Sequence, residues 1–250
     1  ENNFADASTA TFPELEKQLD PTRPDLSTST QEGWKTVSVY VGDNDWVGAP
    51  VAAVVSRSDM EAALDERERQ CERLKIPFSA AEAKAASAKV FGDSGAHELF
   101  DAMDNRKGFL FQGEMLQDWW VLAIFQGMKS GFFVDAASWD ADVASNTRVL
   151  ERDWGWQGLC VEANPPHWWA LAHRKCEVVG AVIGEETGMD VLYDWRGASG
   201  IAGIVMDGTH NYGSFRGKTR RTVDIGTVLR KFQVPSTVHL LSLDVEGVES

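Results

Sequence analysis

The chain has 250 residues, of which 43% are hydrophobic and 25% are charged, an ordinary balance for a globular protein with one large domain or two small ones. Its formal charge of −14 argues against a nucleic-acid partner and against an anionic membrane surface, because both require a basic face. No apolar run approaches the roughly 20 residues of a membrane helix, so no transmembrane segment is expected.

The N-terminal part carries no recognisable chemistry. Residues 1–33 contain several prolines and many Ser and Thr, which predicts an extended arm. Alternation over Trp34–Val41 predicts a strand, and the patterns at Ser58–Glu61 and Ser79–Glu82 match helix capping boxes. We therefore interpret residues 1–113 as an arm and a mainly helical extension, which serves as a lid or a docking module.

The segment 114–250 is predicted to be the functional domain. It opens with an amphipathic helix over Glu114–Gly127. The apolar face that we expect to pack on the sheet consists of Leu116, Trp119, Trp120, Ala123 and Ile124.

The centre of this domain is a predicted strand–helix–strand unit over residues 131–165. Phe132–Val134 is a short apolar strand closed by Asp135, and a second strand ends at Glu162. Ser145, Asn146 and Thr147 are suited to the N-cap of the helix between them. Parallel strands need such a crossover, and ligands of open α/β sheets lie beyond the carboxyl ends of the strands. A later strand, Val238–Leu243, delivers Asp244 and Glu246 to the same edge.

Three cysteines, Cys71, Cys160 and Cys176, are too few for a disulfide framework or a zinc site. Cys160 and Cys176 fall on neighbouring predicted strands, which allows one bridge, but two buried thiols are the favoured interpretation. The histidines show no ligand spacing for a metal, and no metal site is expected.

The two ends suggest a segment of a longer protein. The chain starts at Glu1 without a Met, and it stops at Ser250 soon after a strand, where an open sheet would lack its far edge.

Several blocks resemble the FkbM-type family of S-adenosylmethionine-dependent methyltransferases. These are the QD pair before the first strand, FFVD, SNTRVLERDWGWQGLCVEANP and LLSLDVEGVE, and they span about residues 117–249. The resemblance implies an open, doubly wound, mostly parallel sheet, a Rossmann-like class I methyltransferase fold that is incomplete at the C-terminus here. It implies O-methylation of an unknown hydroxyl acceptor.

The resemblance also implies roles for individual residues. Asp135 corresponds to the acidic residue of the donor-binding motif and Glu162 to the carboxylate that binds the donor ribose. Asp244 and Glu246 correspond to the acidic pair near the transferred methyl group. The remaining expected donor contacts are Ala137, Trp139 and Asn146.

The loop after the first strand departs from the family pattern D-x-G-A-N-x-G. Ala137 and Ala141 occupy the two glycine positions, and Trp139 occupies the asparagine position. An alanine costs about 1 kcal/mol or more where a positive φ is required. An indole beside the methionine pocket could fill it.

Two functions therefore remain open. The first is an active methyltransferase that binds S-adenosylmethionine and a small hydroxyl compound. The second is a catalytically degenerate subunit with a structural or assembly role in a large organellar complex, photosynthetic or respiratory. In the second case the N-terminal extension and the aromatic surface would contact protein partners, in a chloroplast or mitochondrion.

Overall fold

The protein is α/β, with a mostly parallel mixed sheet at its centre. The structure, a computed structural model, describes residues 36–75, 78–90, 111–194, 200–201 and 218–245. The six strands of the main sheet are β1 Thr36–Gly42, β2 Asp45–Pro50, β3 Phe132–Ala136, β4 Gln157–Val161, β5 Glu177–Gly180 and β10 Leu240–Leu243. Their order is β10–β3–β4–β5–β1–β2, and all neighbouring pairs are parallel except the β1–β2 hairpin. This arrangement is compatible with a Rossmann-like fold.

A smaller sheet and short helices complete the described chain. The smaller sheet has the order β6–β9–β7–β8, formed by Val182–Ile183, Lys218–Val223, Asp190–Asp194 and Gly200–Ile201. The helices are α1 Val51–Val54, α2 Arg57–Leu74, α3 Ala80–Val90, α4 Gln117–Ile124, α5 Arg148–Trp154, α6 Trp168–Leu171 and α7 Ile225–Lys231. A 3-10 helix, Pro165–His167, precedes α6. No helix among these described segments is long and apolar enough to cross a bilayer.

The predicted strand–helix–strand unit is confirmed as β3–α5–β4. The Ser145 hydroxyl accepts the backbone N–H of Arg148 at the start of α5 at 3.2 Å, which satisfies a donor that the helix leaves unpaired. Gly155 ends the helix with φ of 69°, a left-handed conformation that glycine adopts without steric cost. The crossover therefore returns the chain parallel to β3.

The main sheet crosses the predicted domain boundary at residue 113. Strand β1 pairs in parallel with β5, with Val37 opposite Val178, and it is placed inside the sheet between β5 and β2. Within the described residues, the segment before residue 113 contributes two strands to the sheet that carries the site. The arm predicted over residues 1–33 lies outside the described residues. The capping box also differs in position, because Ser56 and Asp59 form it rather than Ser58 and Glu61.

Helix α4 faces the opposite way from the prediction. Its buried residues are Asp118 and Leu122, while Trp119, Trp120 and Ile124 are exposed, Ile124 to 70%. The Asp118 carboxylate explains this orientation, since it accepts the backbone N–H groups of Gln112 and Gly113 at 2.6 and 3.2 Å. Satisfying those two buried donors turns the acidic side of the helix inwards.

Cys160 and Cys176 form a disulfide, so the prediction of two buried thiols is wrong. The two Cα atoms lie 6.0 Å apart, one in β4 and the other immediately before β5, within the usual range for a bridge. Cys71 is a buried thiol outside the disulfide, and burial raises its pKa to about 11.

Reduction of this disulfide is expected to lower the free energy of unfolding by about 2–3 kcal/mol, because the bridge closes a loop in the unfolded chain. The two cysteines are 16 positions apart. Urea unfolding with and without a phosphine reductant measures the difference. The Cys176→Ala variant is the control, and its stability should not respond to the reductant. A wild type that is equally insensitive would contradict the prediction.

Candidate functional site

The carboxyl ends of three neighbouring parallel strands meet at one edge of the main sheet. Ala136, the last residue of β3, pairs with Val161 of β4 on one side and with Leu243 of β10 on the other. Asp135, Glu162 and Asp244 therefore lie at the same edge. The sequence prediction of a shared carboxylate edge is confirmed for these three residues, while Glu246 lies outside the described residues.

Asp135 is buried, and its carboxylate contacts other side chains of the protein. Its carboxylate accepts hydrogen bonds from the Thr147 hydroxyl and from Ser242 on β10, and the Arg174 guanidinium lies 3.9 Å away. Burial raises the pKa of Asp135, against the lowering effect of Arg174 and the hydrogen bonds. Asn146 joins the same group because its Nδ2 donates to the Ser242 hydroxyl at 3.1 Å. These contacts fasten the start of the loop to β10 and α5.

Glu162 links the two loops that follow β3 and β4. Its Oε2 accepts the backbone N–H of Trp139 at 2.8 Å, and its Oε1 accepts that of Asn164 at 2.7 Å. The residue is only 4% exposed. Burial raises the pKa of its carboxyl to about 7, although the amide hydrogen bonds of Asn164 and Trp139 act to lower it.

This raised pKa predicts a loss of stability with rising pH. Glu162 titrates near 4.5 when unfolded and near 7 when folded, so the native state binds the extra proton between those values. The contribution of Glu162 to the free energy of unfolding is therefore complete below pH 4.5. On the order of 2–3 kcal/mol of it is lost as pH rises through 7. Urea unfolding at pH 5 to 8 tests this. The fall in the free energy of unfolding with pH should be smaller in Glu162→Gln than in the wild type. Equal pH dependence in the two proteins would contradict a raised pKa at Glu162.

The loop after β3 contains backbone conformations that side chains other than glycine rarely adopt. Ala137, Trp139 and Ala144 have φ of 61°, 49° and 56°. Ala141, by contrast, has no positive φ and is buried, so the cost expected at that glycine position does not arise. Each left-handed residue costs on the order of 1 kcal/mol, so surrounding contacts must hold this loop in place.

Trp139 contacts the opposite loop directly. Its ring centroid lies 5.6 Å from that of His167, at an interplanar angle of 55°. His167 is buried, and burial lowers its pKa to about 4 despite the nearby Asp140 and Glu66 charges. The Trp139 ring and the Glu162 carboxylate together bridge the space between the loops after β3 and β4.

A buried network of charges surrounds the loop. Arg67 contacts both Asp140 oxygens at 2.8 and 2.9 Å and Asp142 at 3.3 Å. Arg148 Nε donates to Asp142 at 2.6 Å, and its Nη1 donates to Glu151 at 2.8 Å.

The network continues to the first strand. Arg174 lies between Glu151, 3.5 Å from its Nε, and Asp135, and it also donates to the Thr147 hydroxyl at 2.9 Å. All these residues are at most 5% exposed: Arg67, Arg148, Arg174, Asp135, Asp140, Asp142 and Glu151. A chain of ion pairs and hydrogen bonds therefore connects helix α2 to the carboxylate at the end of β3.

The predicted site residues fall into two groups. Asp135, Ala137, Trp139, Asn146 and Glu162 lie together around the loop, whereas Asp244 is exposed beyond β10 with its backbone N–H bonded to Ala136 at 3.2 Å. The buried arginines and His167 were not among the predicted site residues. The signal that could have indicated them is the number of acids in the loop, because Asp140 and Asp142 cannot be buried without cations.

No group of three or more His, Cys, Asp or Glu side chains in the described part of the chain is arranged to hold a metal ion. Comparisons with family models, with curated proteins and with solved structures give no match to this chain.

Proposed function

We propose that this chain is an S-adenosylmethionine-binding protein of the FkbM methyltransferase type, directed at a hydroxyl acceptor. The observation that carries the proposal is the shared edge formed by Asp135, Glu162 and Asp244 on three neighbouring parallel strands. Ligands of open α/β sheets bind at this edge, where strand ends leave a crevice. The sequence blocks that resemble the family supply the same residues.

The Glu162 carboxylate suits the ribose of such a donor. A carboxylate has about four acceptor positions on its two oxygens, and the backbone N–H groups of Trp139, Asn164 and Ala163 use three of them. The remaining position is suited to one hydroxyl of the ribose. The amides fix the carboxylate in place before any ligand arrives, which lowers the entropic cost of binding.

The loop after β3 suits the close approach of a ligand. The left-handed conformations at Ala137 and Trp139 are the kind that this family provides with small or polar residues, and Ala137 is partly exposed. The donor supplies an electrophilic methyl group on a sulfonium. The chain would hold the ribose at Glu162, and Asp244 is an exposed carboxylate near the same edge that can accept the acceptor's hydroxyl proton.

A second function is favoured by the contacts of Trp139. Its ring contacts that of His167 and its backbone N–H donates to Glu162, so the chain bridges its own crevice. Helix α4 meanwhile exposes Trp119 and Trp120, which pack edge to face at 5.0 Å. A degenerate methyltransferase fold that binds a protein partner through α4 accounts for both observations.

Isothermal titration with S-adenosylhomocysteine separates the two functions. We expect the wild type to bind with micromolar to millimolar affinity and to show a higher melting temperature with the ligand. Replacing Trp139 by Asn and both Ala137 and Ala141 by Gly should tighten binding, because the crevice opens. Trp120→Ala is the matched control and should leave affinity unchanged. Absence of binding to the folded wild type and to the opened variant would reject the donor site.

A further inference from the structure

We infer that helix α2 is part of the donor site, and that its residue Arg67 is a positioning residue for the loop after β3. This inference depends on the proposed function for the identity of the ligand. It concerns a helix that lies outside the segment with family resemblance, 73 positions before the Asp140 that it contacts. The N-terminal region would then act directly on the site rather than as a separate module.

The contact between Arg67 and Asp140 has the geometry of a strong ion pair. One guanidinium nitrogen, Nη1, lies 2.8 and 2.9 Å from the two Asp140 oxygens, and Nη2 lies 3.3 Å from Asp142. Arg67 is 1% exposed, and its guanidinium also lies 5.9 Å from the Phe78 ring centroid. Water therefore does not compete for these charges, and the attraction is much less screened than at the surface.

Asp140 transmits this contact to the backbone of the loop. Its Oδ1 accepts the N–H groups of Asp142 and Val143, both at 2.9 Å. These bonds lie between the left-handed residues Trp139 and Ala144. Because those conformations are unfavourable in isolation, the loop keeps its shape only while neighbouring contacts fix it. Arg67 balances the charge of the Asp140 carboxylate, which accepts the loop amides.

Helix α2 also contacts the other side of the crevice. It packs against the 3-10 helix Pro165–His167, which begins three positions after Glu162. The His167 ring contacts that of Trp139, and His167 interacts electrostatically with Asp140, Glu66 and Arg67. Helix α2 thus contacts both the loop after β3 and the loop after β4, which the hydrogen bond from Trp139 to Glu162 joins.

The test uses the full chain with Arg67→Met and Arg67→Lys, and with Arg73→Met as the control. Arg73 is on the same helix and pairs with Glu114, but both side chains are about half exposed. Two quantities are measured: the dissociation constant for S-adenosylhomocysteine, and backbone hydrogen exchange by mass spectrometry over residues 137–147. Strand β4 provides the internal reference, because a local opening should not extend to it.

Arg67→Met should weaken ligand binding at least tenfold and accelerate exchange in residues 137–147 but not in β4. Arg67→Lys keeps the positive charge but loses the planar pair of nitrogens that contacts Asp140 and Asp142, so it should retain part of the ligand affinity. It should also remain folded if Arg67→Met does not. Arg73→Met should change neither quantity.

Two results would overturn the inference: unchanged exchange in the loop of folded Arg67 variants, or equally faster exchange throughout the chain. If the wild type binds no ligand, the proposed function fails, and the exchange measurement still decides whether Arg67 positions the loop.

Discussion

Glu151→Gln is expected to lower the free energy of unfolding by about 3–5 kcal/mol, because it removes one charge from a buried ion network. Glu151 is 1% exposed and accepts the backbone N–H groups of Lys175 and Cys176 at 3.1 and 2.9 Å. Although burial opposes it, Arg174 and these amides hold the pKa of Glu151 below its usual value. An amide nitrogen in place of either oxygen would face donors, and Arg148 and Arg174 would lose their shared anion.

The control for this prediction is Glu114→Gln. Glu114 makes the same kind of contact, an ion pair with Arg73, but at the surface. Exposed ion pairs contribute about 0–1 kcal/mol, so the free energy of unfolding of this variant should differ from that of the wild type by no more than about 1 kcal/mol. Urea unfolding at pH 7 measures both variants. Similar losses in the two would mean that the buried network contributes no more than a surface pair.

Gly158→Ala is expected to cost about 3 kcal/mol or more, because the added methyl group cannot be accommodated between two paired strands. An ideal Cβ at this position would lie 2.4 Å from the carbonyl oxygen of Phe133 and 2.5 Å from its ring. The nearest atom is backbone, so relief requires β3 and β4 to separate. Those strands carry Asp135 and Glu162, and ligand affinity should fall together with stability.

Gly48→Ala is the matched control for Gly158→Ala. Gly48 is also in a strand, β2, but no atom lies within 4 Å of its ideal Cβ. Its substitution should change the free energy of unfolding by less than about 1 kcal/mol. Thermal unfolding of both variants measures the difference. A Gly158→Ala protein as stable as the control would show that the two strands tolerate a wider spacing.

The central unit of the fold was predictable because its sequence signals are local. An apolar run closed by Asp135, a helix bounded by Ser145 and Gly155, and a second run closed by Glu162 each depend on neighbouring residues. Parallel pairing then follows from the crossover. The shared edge of Asp135, Glu162 and Asp244 could be derived in this way without coordinates.

The errors come from side-chain pairings that hydrophobic periodicity does not encode. The apolar face of α4 was predicted to be buried, but Asp118 must satisfy the amides of Gln112 and Gly113, and this outweighs the pattern. The partner of Asp140 is Arg67 in helix α2. Hydrophobic periodicity predicts this helix but not where it packs, so the ion pair could not be predicted. The pairing of Cys160 with Cys176 likewise depends on how the turn before β5 approaches β4.

The position of β1 has a consequence for how the chain assembles during synthesis. Its partner β5 lies about 140 positions further along, so β1 leaves the ribosome long before it can be paired. At roughly 5–20 residues per second, the delay is on the order of 7–30 s. During that interval the edge of β1 that later pairs with β5 is exposed, and it can associate with other nascent chains. Production of this protein should therefore benefit from slower initiation or lower temperature, which reduce the concentration of such intermediates.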